Sequence, residues 1–352
     1  MPNLNPDFRG ADEVVKPENA EFGWATNATE AEAILLERRG EERLQAELPA
    51  QMTLADGEEP LQAIVDAWNA FQQSKGRFPG SYDWSLLDEF VHGKPLIWRP
   101  QIIGSCVESN TAPGWVIRLM YQIVFLGNAM EHLGRDDKTS NNFAPYGPFS
   151  YGAARKRVNL RGGDGLFCEG MVESLLKDGV LPCNNPDLIA LNKRLGVDRP
   201  QDYFEPQNAG VYRQWGDWKY IDDFAKYADY RLNECPYIKS ADELLAAQKA
   251  CKPVFCCSML AIKKIGTHKD GFAIHGRNAG DQWAHNMQFR GILVASDGAV
   301  FVRFGNESWG PEHMYTIPIA EVDDWYRRRN LTTAAIGQIN GPSSSPPQFG
   351  VN

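Results

Sequence analysis

The chain has 352 residues, a net charge of −9 and 43% apolar residues. This length suits two domains, or one large domain with an extension, and the apolar content is that of a folded chain. Nucleic-acid binders normally carry a basic surplus, so the charge argues against nucleic acid as a partner. No apolar run approaches the ~20 residues that span a bilayer. The N-terminus also lacks the apolar core of a signal peptide. We therefore expect no membrane partner and a cytoplasmic or particle-associated location.

The cysteines do not form a metal-binding pattern. No C-x-x-C pair occurs among the seven, which excludes the common zinc motifs, and we expect no metal or other cofactor. Seven is an odd number and too few for a disulfide scaffold. We set Cys106 apart as a candidate for chemistry. The other six are expected to be buried, reduced thiols, namely Cys168, Cys183, Cys235, Cys251, Cys256 and Cys257.

The N-terminal quarter divides into an arm and a helical segment. Residues 1–25 are polar with scattered Pro and Gly, which predicts an extended arm. Residues 27–48 predict a helix, and apolar side chains at helical spacing predict another over about 60–74. We assign 26–90 to a helical N-terminal extension.

Helices dominate the middle of the chain as well. The patterns predict helices over about 114–130, 167–178 and 240–250. Pro113 suggests that the first of these begins at about 111–114. Residues 184–235 have an irregular composition. The segment RGGDG at 161–165 lacks the context of a phosphate-binding loop, so it predicts a turn.

Strand patterns begin after Pro253. Residues 254–262 are strand-like, and 285–295 with 299–305 predict a hairpin around Ser296-Asp297-Gly298. Helices followed by strands indicate an α+β protein. The Pro/Ser-rich composition of 341–352 is typical of a linker or tail.

Three residues in these elements suggest nucleophilic chemistry. A cysteine nucleophile needs a base that takes its proton and a third group that orients the base. Cys106 precedes helical sequence, His285 opens the first strand of the hairpin, and Asn306 follows the second strand. Adjacent antiparallel strands would bring His285 and Asn306 close together.

At these positions the sequence resembles the papain-like cysteine peptidases. GSC at 104–106, AHNMQFRGI at 284–292 and GNESWG at 305–310 follow the family's order of Cys, His and Asn. Weaker matches lie at 148–183 and 229–255. Each motif alone is weak, and the order of all five carries the resemblance.

The resemblance implies a fold and its limits. It implies an α+β, papain-like two-lobe fold in a domain at 91–335, preceded by the helical N-terminal extension. The helical lobe would span about 100–240 and the antiparallel β lobe about 250–335. Residues 336–352 would form the Pro/Ser-rich C-terminal tail.

The resemblance also implies roles for single residues. Cys106 would be the nucleophile, His285 the general base and then acid, and Asn306 the group that orients the imidazole. Gln101 would donate to the oxyanion beside the backbone N–H of Cys106. Two supporting residues would be Trp309, which shields the His–Asn hydrogen bond, and Ser105 in the nucleophile segment.

Several positions depart from the family pattern. Gln101 precedes the cysteine by five residues rather than six, and Pro100 takes the expected place. Glu108 puts a carboxylate two residues after Cys106, where it would oppose a thiolate. If the helix begins at Pro113, the cysteine also loses the helix N-terminus. Other departures are Val107 for the usual aromatic residue, Ile103 for a disulfide cysteine, and the inserted Glu307.

Three functions therefore stay open. The first is a cysteine peptidase or related thiol hydrolase acting on a peptide or protein substrate, with the N-terminal extension as a prodomain or cap. The second is a catalytically inactive papain fold that contacts neighbouring subunits of a large assembly such as a virus particle. The third is a peptide- or glycan-binding module that uses the cleft between the lobes.

Overall fold

The computed structural model describes residues 60–93, 101, 103–127, 145–183, 185–195, 209–282, 284–306, 313–328 and 331–341. The predicted arm at 1–25, the predicted helix at 27–48 and residues 342–352 of the predicted tail lie outside these residues. The first residues of the predicted tail at 336–352 are described, and Ile339 and Asn340 pair with Leu232 and Arg231. Within the described ranges, no helix is both long enough and apolar enough to cross a membrane.

Helices fill the N-terminal two thirds of the described chain. They are α1 (Gln62–Ser74), α2 (Leu87–His92), α3 (Cys106–Val124), α4 (Gly147–Arg157), α5 (Cys168–Lys177), α6 (Pro186–Arg194), α7 (Ala209–Gly216), α8 (Ile221–Phe224) and α9 (Ala241–Lys249). One more helix, α10 (Ile319–Arg327), lies among the C-terminal strands. Short 3₁₀ turns follow β1 at Trp84–Leu86 and α8 at Ala225–Tyr227.

The strands form one large sheet and two small ones. They are β1 (Tyr82–Asp83), β2 (Arg231–Leu232), β3 (Val254–Ser258), β4 (Ile262–Thr267), β5 (Ala273–Arg277), β6 (His285–Val294), β7 (Val300–Gly305), β8 (Met314–Pro318), β9 (Leu331–Ala335) and β10 (Ile339–Asn340). The large sheet has the order β8-β7-β6-β3-β9, with β1 also paired to β6, and all its pairs are antiparallel. The pairs β4–β5 and β2–β10 form the small sheets.

The predicted α+β class is confirmed, with a helical lobe followed by an antiparallel β lobe. The helices predicted at 60–74, 167–178 and 240–250 occur as α1, α5 and α9. Ser240 caps α9 by accepting the backbone N–H of Glu243. The predicted hairpin is formed by β6 and β7.

Two expectations about the helical lobe are wrong. Helix α3 begins at Cys106, not at 111–114, and Pro113 lies inside it. A proline at that place lacks the N–H that would bond to the Ser109 carbonyl, at a cost of about 3 kcal/mol. Nearly every residue of α3 is buried, and this packing offsets the cost. The supposedly irregular segment 184–235 contains α6, α7, α8 and β2.

Helix α3 lies directly against β6. A Cβ atom on Gly114 would be 1.9 Å from the side-chain nitrogen of Gln288 and 2.9 Å from Cδ1 of Ile336, so a larger residue would displace both side chains. Strand β6 alternates in character. Met287 and Phe289 belong to the apolar core of the β lobe, while the residues between them carry polar side chains. At β6 the two lobes therefore meet across buried polar side chains, while Phe255, Ala334 and Ile336 of the β lobe join an apolar cluster with α3.

The described part of the N-terminal extension packs into the same core. Tyr82 and Asp83 pair with Ile292 and Gly291 of β6. Trp68 and Trp84 stack at 5.2 Å, and both belong to the apolar cluster that includes the buried apolar side chains of α3 from Trp115 to Ile123. Residues 60–93 thus contribute to an apolar cluster that includes side chains from both lobes.

Candidate active site

Cys106 is the first residue of α3, and its side chain is fully buried. The N-terminus of a helix carries a partial positive charge, which stabilises a thiolate. Ser105 is the N-cap residue, and its Oγ lies 3.2 Å from Ser109 Oγ. Cys106 therefore lies at a helix N-terminus, contrary to the expectation from Pro113.

The chain just before Cys106 passes very close to the glycine-rich segment. A Cβ on Gly104 would lie 2.8 Å from the backbone nitrogen of Gly165 and 2.9 Å from Cβ of Asp164. Only glycine fits there, and this contact sets the path by which the chain enters α3.

His285 and Asn306 meet as the hairpin predicted. His285 is the first residue of β6, and Asn306 follows β7, whose Gly305 pairs with Gln288. The His285 Nε2 is 2.7 Å from Asn306 Oδ1, and both side chains are fully buried. With a carbonyl oxygen as its partner, Nε2 carries the proton. In the neutral ring Nδ1 is then the basic nitrogen.

The sulfur of Cys106 lies beside the start of β6. It accepts the backbone N–H of Asn286 at 3.3 Å, and Asn286 directly follows His285. The N-terminus of α3 and the first residues of β6 are thus in contact. Cys106, His285 and Asn306 are brought to one place from positions far apart in the sequence.

Two predicted members of the site are not shown in their predicted roles. The side-chain amide of Gln101 donates to the carbonyl oxygen of Ile103 at 2.6 Å, a contact within its own loop. Its role as an oxyanion donor stays a prediction. Trp309 lies in the segment 307–312, outside the described residues.

Glu108 lies on the opposite side of α3 from Cys106. Residues two apart on an α-helix are about 200° apart around its axis. The Glu108 carboxylate is buried in the helical lobe, where it accepts the hydroxyl of Tyr212 on α7 at 3.0 Å. Because the Glu108 carboxylate points away from Cys106, its repulsion of a thiolate is weaker than the sequence alone predicts.

Two asparagines next to the site were missed by sequence reasoning. Asn110 is one helical turn after Cys106, so it shares a face of α3 with the cysteine. Its amide donates to the carbonyl oxygens of Cys106 and Asn286, at 3.0 Å and 2.6 Å. The four-residue spacing from Cys106 was the available signal for Asn110, and adjacency to His285 was the signal for Asn286.

The cysteine expectation needs a correction. Cys168 at the start of α5 and Cys257 on β3 form a disulfide, so they are not reduced thiols. The Asn286 side-chain nitrogen lies 3.3 Å from the sulfur of Cys257 and 3.8 Å from that of Cys168. The disulfide therefore joins the two lobes directly behind the residue that contacts Cys106.

The other free thiols have inert surroundings. Burial raises the pKa of Cys235, Cys251 and Cys256 well above that of an ordinary thiol. Raised pKa values keep these sulfurs protonated at neutral pH. No group of three or more His, Cys, Asp or Glu side chains suited to a metal ion occurs among the described residues.

The chain resembles papain-like cysteine peptidases in motif order and in its two lobes. No protein-family model and no curated protein matches it. Among solved structures, xylellain, a cysteine protease from Xylella fastidiosa, is 16% identical with a TM-score of 0.45, over 93% of this chain and 100% of xylellain.

Two further solved structures have lower scores. Procathepsin L 3 of the Tenebrio molitor larval midgut is 12% identical with a TM-score of 0.42, over 86% of this chain and 88% of its own. ProCathepsin B S9 from Trypanosoma congolense is 11% identical with a TM-score of 0.39, over 78% and 80%. At such low values the chemistry of the site must be inferred from the contacts of this chain itself.

Proposed function

We propose that the protein is a papain-like thiol hydrolase, a cysteine peptidase, that cleaves amide bonds in a peptide or protein substrate. One observation carries the proposal. The Cys106 sulfur at the N-terminus of α3 touches the peptide that follows His285, while His285 binds Asn306. A thiol, an imidazole and an orienting amide in this sequence of contacts are the parts that cysteine nucleophiles use.

The first step forms the bond to sulfur. Nδ1 of His285 takes the proton of the Cys106 thiol, because Nε2 is held by Asn306. The thiolate attacks the carbonyl carbon of the substrate, a C–S bond forms, and the carbonyl oxygen becomes an oxyanion. The backbone N–H of Cys106, and the Gln101 amide if it turns from Ile103, would donate to that oxyanion.

The later steps release both products. The imidazolium of His285 gives its proton to the leaving nitrogen, the C–N bond breaks, and a thioester on Cys106 remains. Water then attacks the thioester while His285 accepts a proton from it. The acid leaves and the thiol is restored, so no oxidant, metal or other cofactor is consumed.

Access determines which probe tests this mechanism. Cys106 and His285 are both fully buried, so a long peptide needs surrounding chain to move before it reaches the sulfur. A small activated ester such as p-nitrophenyl acetate needs less opening, and it acylates a nucleophilic thiol without a specific peptide sequence. It is therefore the first probe, and peptide libraries follow.

The test is to trap the acylated protein and locate the acyl group by mass spectrometry. We expect the acetyl group on Cys106, none in Cys106→Ser, and acylation slower by about 10²–10⁴-fold in His285→Ala. Cys256→Ala is the matched control, because it removes a buried thiol whose pKa is raised, and it should acylate normally. Acylation elsewhere, or equal rates in His285→Ala, would refute the hydrolase and leave the inactive assembly protein as the better account.

A further inference from the structure

Asn110 connects the backbones that carry the nucleophile and the base. Its side chain is fully buried on α3. The side-chain nitrogen donates to the carbonyl oxygen of Cys106 at 3.0 Å and to that of Asn286 at 2.6 Å. The first of these carbonyls belongs to the nucleophile itself, and the second to the residue after His285. The two hydrogens of one amide therefore join the helical lobe to the β lobe through the backbone of Cys106 and of the residue after His285.

A second contact closes this link into a ring. The backbone N–H of Asn286 donates back to the Cys106 sulfur at 3.3 Å. A hydrogen bond of this kind strengthens when its acceptor carries a negative charge, so it favours the thiolate over the thiol. Its geometry depends on the position of the Asn286 backbone, and Asn110 holds that backbone through the Asn286 carbonyl oxygen.

Small displacements at such a site are costly. Reacting groups need to stand within about 0.5 Å of their working geometry, and an error of ~1 Å costs about 10²-fold in rate. Cys106 and His285 come from different lobes, so no continuous helix or strand fixes their separation. A buried side chain that bonds to both backbones is the kind of group that can.

We propose that Asn110 is a positioning residue for the Cys106–His285 pair. This inference rests on the proposed hydrolase function. Asn110 itself touches neither substrate nor reacting atoms. It acts by holding the Asn286 peptide against the sulfur and by setting the approach of β6 to the N-terminus of α3.

The test compares the pH dependence of Cys106 alkylation by iodoacetamide in the wild-type protein and in Asn110→Ala. We expect wild-type Cys106 to react well below neutral pH. In Asn110→Ala the rate at about pH 6 should fall by about 10- to 100-fold, with the profile shifting towards the ordinary thiol value of ~8.5. With an activated ester, kcat should fall while KM changes little.

A matched control separates positioning from folding. Gln122 is also fully buried on α3, and its amide donates to the Ile339 carbonyl at 3.0 Å. It lies about 24 Å along the helix from Cys106. We expect Gln122→Ala to lower the melting temperature as Asn110→Ala does, but to keep the wild-type alkylation profile.

A second variant keeps the test decisive if Asn110→Ala does not fold. In Asn110→Ser the hydroxyl can still bond to the Cys106 carbonyl within the helix, but it is too short to reach Asn286 as well. Its alkylation profile should shift like that of the alanine variant. A folded Asn110 variant with the wild-type profile overturns the positioning role alone. A wild-type protein without reactivity below neutral pH overturns the proposed function, and this inference with it.

Discussion

The two halves of β6 differ in the residues that they bury and in the elements that they contact. In the first half, the polar side chains of Asn286, Gln288 and Arg290 are fully buried where the strand faces α3. In the second half, Gly291 and Ile292 pair with β1 of the N-terminal segment. The first half carries the buried polar residues next to the candidate active site, and the second half attaches the N-terminal segment to the sheet.

This difference is one of energy. A buried polar group costs about 1–3 kcal/mol unless its hydrogen bonds are made, so a strand built only for stability would bury apolar residues. The first half of β6 carries this cost beside Cys106. Part of the cost is offset by bonds such as the 2.8 Å bond from Arg290 to Gln288 and by the backbone bonds of Asn286 to α3. The second half pairs with β1 and buries the apolar side chains of Ile292 and Leu293. Local departures from the apolar pattern therefore mark the site.

We expect the largest loss of stability from removal of the Cys168–Cys257 disulfide, which lies next to the first half of β6. The bond closes a segment of 89 residues, so replacing both cysteines with alanine should lower the free energy of unfolding by about 4 kcal/mol. Urea unfolding measures this, with Cys256→Ala as the neighbouring control. Before reduction, the unfolded protein should alkylate at five cysteines, and alkylation at all seven would disprove the bond.

Asp83 of β1 pairs with the second half of β6, and its replacement should affect stability rather than the reactivity of Cys106. The carboxylate is fully buried and lies 2.8 Å from Arg77 Nε and 3.7 Å from Arg303 Nε. Burial opposes its ionisation, but the two guanidinium groups outweigh it and hold the pKa of Asp83 below its ordinary value. Asp83→Ala should cost about 3 kcal/mol of stability, because it leaves two partly buried guanidinium groups without their shared partner.

The measurement for Asp83→Ala is chemical unfolding together with the alkylation profile of Cys106, which should not change. Asp178→Asn breaks a surface pair with Arg157 and should cost less than about 1 kcal/mol. Since the pKa of Asp83 is depressed, its stabilisation is present at neutral pH and is lost as the pH falls through the folded-state value. A shifted alkylation profile in Asp83→Ala would show that the two halves of β6 are not separate.

Asn306→Ala should cost less stability, about 1–2 kcal/mol for the lost buried hydrogen bond, and should slow the reaction of Cys106. Loss of the 2.7 Å bond frees the His285 ring to rotate, and removal of such an orienting group typically costs 10- to 100-fold, so we expect acylation of Cys106 slower by about that factor. Asn192→Ala is the control, because Asn192 is also a fully buried amide and accepts the Tyr146 hydroxyl at 2.8 Å. Equal acylation rates in both variants would remove Asn306 from the mechanism.

The smallest effect concerns a histidine away from the site. Burial, with Arg303 and Lys264 nearby, lowers the pKa of His275 to about 4. The unfolded chain binds a proton at the ordinary value of 6.5, so stability should fall as the pH drops from 6.5 towards 4. His275→Gln should flatten that part of a plot of melting temperature against pH. An unchanged slope would show that His275 does not contribute.

Local patterns in the sequence predicted much of the fold and part of the site. Helical spacing located α1, and the Ser296-Asp297-Gly298 turn located the hairpin that brings His285 to Asn306. Contacts between distant positions could not be predicted in this way. Asn110 bonds to a residue 176 positions away, and the sequence around Asn110 contains no pattern that predicts this partner. The start of α3 was misjudged because packing overrode the local preference of Pro113.

The proposed proton transfer from Cys106 to His285 gives a thiolate–imidazolium pair. The most direct measurement is the ultraviolet absorbance of the thiolate as a function of pH, taken as the difference between the wild-type protein and Cys106→Ser. We predict a thiolate signal that is present well below neutral pH and is lost in His285→Ala. A signal that appears only near the ordinary thiol value of ~8.5 would contradict the account.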